Sequence, residues 1–402
     1  MKIPRVKTGL KNQFKHQISQ LNLFASYFAL LILFVALLPA QTFHTMLSQI
    51  NSVPVSDRQL LAEELIKSLA RFPVIDNDTV VTFVYQGVAT RMAVTGDLNQ
   101  WQLLGMPMTR IDGTDFWYRG DILEADARIE YKFIRDGSDW ILDPLNSQKV
   151  MGGFGFNSEL RMPAYEVPWE MDYFPEIVHG TLSDTVFYSH NLGNSRKIGL
   201  YLPPDYQASS DSFPIVIFFD GWDYVNYGKV PQIIDNLIWK KKIQPLIAIF
   251  VPPISRTAEY ADSLQPAFTN FIVGEIWGWI KKRYRAKRNP NSHAMIGASN
   301  GGNICLWIAF HFPDLFKKAG VQSTNVQSSL QRALLIAPAS DLHIYVHSAQ
   351  YDIPIIHIRN NWLIQTLFQK NYSFRFKLTN EGHNWRNWGA QVPEMLVWFF
   401  PV

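Results

Sequence analysis

Ser299, Asp352 and His383 have the residue types and spacing for nucleophilic catalysis. Ser299 sits in Gly297-Ala298-Ser299-Asn300-Gly301-Gly302. A serine hydroxyl is a weak nucleophile and needs an imidazole base, itself oriented by a carboxylate. Gly-x-Ser-x-Gly between a strand and a helix makes a sharp turn that lifts the hydroxyl above a sheet edge. The apolar residues 294–296 before the motif and the apolar stretch 302–312 after it have those two patterns. His383 lies in the polar loop Glu381-Gly382-His383-Asn384-Trp385, between a strand pattern at 374–378 and the last helix. Asp352 follows the strand pattern 344–346. The intervals are 53 residues from Ser299 to Asp352 and 31 from there to His383, each long enough for a crossover helix.

Each residue has a plainer reading. His383 could be a surface-loop histidine and Asp352 a helix-capping carboxylate, with Glu381 and Asp341 as rival acids. His343 and His347 are four apart but have no third ligand at metal spacing, so no metal and no cofactor are expected. An oxyanion needs two N–H donors. Asn300 offers one backbone N–H. The second is expected from Trp222, in Phe218-Phe219-Asp220-Gly221-Trp222-Asp223, where Gly221 would permit a tight backbone; an ordinary β-turn is the other account.

The elements that must hold these residues can be traced along the chain. Of 402 residues, 47% are hydrophobic and 18% charged, which excludes a disordered or collagen-like chain. The formal net charge is +3, but Lys2, Arg5, Lys7, Lys11 and Lys15 precede any acid; without those five the rest carries −2, so no nucleic-acid partner is expected. Cys305 is the one cysteine, which excludes an intrachain disulfide. Residues 21–38 form an uncharged apolar run behind the five cations. Residues 1–40 are therefore read as a signal peptide or a transmembrane anchor, and the protein as exported: periplasmic, or membrane-attached and facing outwards. Residues 41–72 read as a helical connector, with Ser56-Asp57 as N-cap. A period of two dominates residues 73–150, with Ile129, Tyr131 and Phe133 on one face and Glu130 and Lys132 on the other, which indicates a β-sandwich. Gly- and Pro-rich residues 151–176 read as a linker. Strand and helix patterns then alternate through 177–402, implying a parallel sheet covered on both faces.

The later part resembles the enterochelin esterase and esterase D-like group of α/β-hydrolases. The resemblance rests on Tyr201-Leu202-Pro203-Pro204-Asp205-Tyr206, Phe219-Asp220-Gly221-Trp222, Arg256 with Glu259-Tyr260, Ser299-Asn300-Gly301-Gly302, His311-Phe312-Pro313-Asp314-Leu315-Phe316 and Gly382-His383-Asn384-Trp385 with Trp388. It implies Ser299 as nucleophile, His383 as base, and the Trp222 and Asn300 amides as oxyanion hole; the loop of Asp352 aligns with the acid. Asp223, Arg256, Glu259 and Trp385 are expected at the substrate pocket, with a buried ion pair as the alternative for Arg256 and Glu259.

The sandwich resembles the N-terminal, immunoglobulin-like early-set domain of enterochelin esterases and related glycogen-binding modules. That likeness rests on Val94-Thr95-Gly96-Asp97-Leu98-Asn99-Gln100-Trp101, Tyr131-Lys132-Phe133 and Asp143-Pro144. Trp101, Trp117 or Trp140 could stack on sugars or catechols, or lie in the core. The expectation is an α/β-hydrolase with an N-terminal β-sandwich, acting as a serine esterase on a small-molecule or glycan ester. Candidate substrates are a catecholate siderophore lactone and a feruloyl or acetyl ester of a polysaccharide. The alternative is an exported, catalytically silent glycan-binding protein on the same fold.

Overall fold

The computed structural model describes residues 42–336 and 341–402. The apolar run 21–38, and with it the expected leader or anchor, lies outside the described residues. Among the described residues no helix is long and apolar enough to cross a membrane. That corrects the transmembrane expectation for the described residues: the helices around the large sheet use their apolar faces to cover it.

Two compact units divide the chain, one running to Leu69 with Asp112–Thr114 and the other comprising Ala70–Ile111 with Asp115–Val402. The described part of the first contains the helices Phe43–Ser52 and Val55–Lys67. Ser56-Asp57 is not the cap of the second. Pro54 takes that place, with an extended ψ of 147° that turns the chain between the helices.

The second unit opens with two facing sheets. One has the order Val74–Asp76, Val80–Gln86, Phe116–Ile122, Thr109–Arg110; the other runs Met106–Pro107, Met92–Gly96, Arg128–Arg135, Gly155–Arg161, Lys149–Gly152. Val81, Phe83, Val94, Ile129, Tyr131 and Phe133 fill the space between them. The stretch read as a linker supplies a strand here: Gly155–Arg161 pairs antiparallel with Arg128–Arg135. Its glycines belong to a tight hairpin between Lys149–Gly152 and Gly155–Arg161.

The third sheet has eight strands in the spatial order Thr181–Ser189, Asn194–Leu202, Ile247–Val251, Ile215–Phe219, His293–Ala298, Lys318–Gln322, His343–Tyr351, Ser373–Gly382. In chain order that is first, second, fourth, third, then fifth to eighth. The first two strands enter antiparallel and the rest are parallel. Thr181–Ser189 and Lys318–Gln322 have too few apolar residues to be recognised by pattern alone. Successive residues of a strand face opposite sides. Ile215, Ile217 and Phe219 thus pack with Phe268, Ile304 and Leu363, while Val216 and Phe218 pack with Ile233, Leu237 and Met395. Ligands of open parallel sheets gather at the carboxyl ends of the strands.

Two histidines in this sheet make the fold acid-sensitive. Burial pushes His293 down to about 4 and His347 down to about 3. An unfolded chain takes up those protons near pH 6.5, so the unfolded state binds more protons below that pH and stability falls as pH drops toward the folded values. The expected loss is up to about 1.4 kcal/mol per pH unit for each histidine. Urea denaturation between pH 4.5 and 6.5 checks this, with His293→Gln expected to remove about half of that slope.

Candidate active site

Ser299 follows the central strand His293–Ala298 and precedes the helix Asn300–His311, with φ 55° and ψ −118°. A side-chain-bearing residue there is strained by about 1–3 kcal/mol and persists only where its surroundings over-determine it. The Ser299 amide donates to the Gln322 carbonyl, and its own carbonyl accepts from Gly302, Asn303 and Asn325. A Cβ on Gly297 would lie 2.2 Å from the Gly301 carbonyl oxygen, so the turn closes only with glycine at that position.

The strands His343–Tyr351 and Ser373–Gly382 lie beyond Lys318–Gln322 in the same sheet. Asp352 follows the first and His383 the second. His383 Nδ1 lies 2.7 Å from Asp352 Oδ1, and the edge of the His383 ring meets Trp388. Of the rival acids, Glu381 is paired to Arg128 and Asp341 to Lys317. Burial acts to raise the Asp352 carboxyl, but the hydrogen bond and charge of His383, with the Ser323 hydroxyl and the Ile353 amide, outweigh it and hold the group below the ordinary carboxylate value.

Trp222 and Asn300 each lie in the first turn of a helix, Gly221–Asn226 and Asn300–His311. First-turn amides have no carbonyl four residues back inside their own helix, which leaves them available to an anion. The left-handed residue of the Trp222 turn is Asp220, φ 59°, and not Gly221. Asp220 is buried and receives both ends of the Arg256 guanidinium, at 2.7 and 2.8 Å, while its amide donates to the Tyr260 hydroxyl. Arg256 also donates to the Ala298 carbonyl at 3.0 Å. One guanidinium thus ties the Trp222 turn to the residue before Ser299. Arg256 is clamped from one side and partly exposed on the other.

Glu259 is enclosed by protein. It is 1% exposed, pairs with Arg196 at 2.9 Å, and accepts from the Ile254 and Ser255 amides, so it holds its own loop together. Asp223 is half-buried beside the Trp222 turn; burial, then the charge of Asp220, pushes its carboxyl up to about 6 against the pull of Arg256. Trp385 packs edge-on against Tyr224 and Trp388. Of the three sandwich tryptophans, Trp117 belongs to the core. Trp101 stacks on the partly exposed Trp140 and donates its indole N–H to Asp97.

Pattern reading overlooked Asp220, Arg196, Asp97 and Arg128. Asp220 stood inside a quoted motif, directly before a glycine, where a left-handed turn was the available signal. Arg128 had none, because an alternating strand looks the same whether its polar face meets water or protein.

The family model described as "Putative esterase" matches residues 189–399, just over half of the chain. The chain belongs to that esterase family. The esterase is 31% identical to the uncharacterised YbbA protein of Bacillus subtilis over 155 residues, covering 35% of this chain and 59% of that one. It is 25% identical to the iron(III) enterobactin esterase of Escherichia coli O6:H1 over 238 residues, covering 52% of this chain and 58% of that one. In both cases the match spans less than two thirds of the relative's length. Among solved structures, the Shigella flexneri enterobactin esterase in the presence of enterobactin superimposes with a TM-score of 0.69 at 22% identity, covering 84% of this chain and 97% of that one. The fold is therefore an α/β-hydrolase with an N-terminal β-sandwich.

Two outcomes follow for the esterase. Arg256→Met leaves the Asp220 carboxylate buried without its partner and should cost about 3 kcal/mol by urea denaturation, with a drop in ester turnover as the Trp222 turn loosens. The stability contributed by Asp352 is present above the ordinary carboxylate pKa of about 3.9 and lost as pH falls through the lower folded value. Asp352→Asn should accordingly flatten the acid limb of stability below about pH 4 in the same measurement.

Proposed function

We propose that this esterase works through an acyl-enzyme on Ser299. The His383–Asp352 hydrogen bond of 2.7 Å, on neighbouring loops at the strand ends where Ser299 turns, carries this reading. Asp352 holds the imidazole with Nδ1 protonated, leaving Nε2 as the base. The Ser299 hydroxyl gives its proton to Nε2 as the oxygen bonds to the ester carbonyl carbon. The carbonyl oxygen takes up the negative charge, met by the Trp222 and Asn300 amides. Collapse breaks the carbon–oxygen bond of the ester, and the departing alkoxide takes the proton from His383. Water, deprotonated by the same imidazole, then cleaves the acyl-enzyme and restores the serine.

For substrate we infer a lactone of a catecholate siderophore. The order of sandwich before hydrolase supports it, as does the relative named for iron(III) enterobactin. We also infer export, which the five cations ahead of residues 21–38 support.

Ser299→Ala should abolish both turnover of p-nitrophenyl acetate and labelling by a fluorophosphonate probe, while the protein stays folded. Wild-type rates in that variant would refute the mechanism. Side-by-side kinetics on a catecholate trilactone and on feruloylated arabinoxylan should give the higher kcat/KM for the lactone; the reverse ranking overturns the substrate assignment and leaves the mechanism standing.

A further inference from the structure

The sandwich reaches the loops of His383 and Asp352 with charged side chains spaced two residues apart. Tyr351, which precedes Asp352, donates its hydroxyl to Glu124. Asn380 Nδ2 donates to Asp126 Oδ1 at 2.7 Å. Arg128 Nη1 donates to Asn384 Oδ1 at 2.9 Å and lies 3.5 Å from Glu381 Oε2. Asn384 returns its own amide to Asp97 Oδ2 at 2.9 Å. His383 is therefore bracketed by two residues, Glu381 and Asn384, both tied to the sandwich.

The backbone between the tethers is seated as closely. A Cβ on Gly382 would come within 2.0 Å of the Asp97 carboxyl carbon, so that carboxyl lies flat against the peptide next to His383. Asp97 is itself held by the Glu130 amide at 2.8 Å and the Trp101 indole at 3.0 Å. Asn384 caps the following helix, Trp385–Phe399, through the Asn387 amide, and the oxygen it uses is the one Arg128 binds. Arg128 is completely buried and also pairs with Glu159 at 2.6 Å and Glu130 at 2.9 Å. A guanidinium can serve several oxygens in fixed directions at once, which an ammonium cannot. Desolvating a charge to this degree costs several kcal/mol, more than gluing two surfaces together requires.

Building on the serine mechanism above, we propose that Arg128 and Asp97 of the sandwich are positioning residues for the His383 imidazole. They act through Asn384 and Gly382 and never touch the ester. The sandwich is thereby a working part of the active site, and the hydrolase sheet alone would leave the His383 loop free to drift. A displacement of about 1 Å at a reacting group can cost roughly 100-fold in rate.

The test uses the full chain with Asp97→Asn, Arg128→Lys and Arg128→Met. Turnover of p-nitrophenyl acetate is measured beside the downfield proton resonance of the imidazole N–H bound to Asp352, and thermal midpoints report folding. Asp97→Asn keeps the side-chain volume and is the variant that distinguishes drift from unfolding. The expected result is a kcat lower by 10- to 100-fold with KM nearly unchanged and a shifted or broadened imidazole resonance. Arg128→Met should fall further than Arg128→Lys, which keeps the charge. Folded variants with wild-type kcat and an unmoved resonance would overturn the proposal. Should the wild type prove inert towards esters and probe, the acyl-enzyme reading fails, and the resonance still reports whether the sandwich sets His383.

Discussion

The hydrogen bond from His383 to Asp352 joins loops that leave adjacent parallel strands, and its length depends on the strand register. His343–Tyr351 and Ser373–Gly382 pair with a shift between Ala349 and Tyr351, so that Tyr351 lies opposite Gly382 and the next residues reach each other at 2.7 Å. A slip by one residue would turn every side chain of a strand to the opposite face. His343–Tyr351 is buried from Ile344 to Ala349, which fixes its own register, and the half-exposed edge strand Ser373–Gly382 is set by pairing along it. Core packing places Asp352, and strand pairing then carries His383 to it.

The Ser299 side meets a different requirement. Its backbone is held in a left-handed conformation by hydrogen bonds to Gln322 and Asn325 and by the approach of Gly297 to Gly301. Arg256 spans from Ala298 to Asp220 and makes this turn and the Trp222 turn one rigid piece. One guanidinium thus fixes two positive-φ turns, and the first-turn amides that follow them, relative to one another.

Electrostatic pairs in this protein do two kinds of work. Arg196 with Glu259 is fully buried and closes a loop. Around Arg128, burial, with the charge of Glu130 adding to it, pushes Glu381 up to about 7 against the pull of Arg128 and Arg386. That cluster sits beside the His383 loop and not in the centre of the sandwich, where apolar packing would have been the more stabilising choice.

Local pattern was enough for much of this. The Gly-x-Ser-x-Gly turn, the alternation of strands and helices after residue 177, the period-two sandwich and the polar loop around His383 are all short-range features, each determined by neighbours in the chain. The hydrogen bond that joins Asp352 to His383, the pairing of Glu259 with Arg196, and the strand hidden in the presumed linker came from tertiary structure. Each depends on which surface a side chain meets, and that partner lies tens to hundreds of residues away. Arg128 shows the reason most plainly. Its alternating strand specifies two faces, but only the docking of the hydrolase loop makes the polar one an interior.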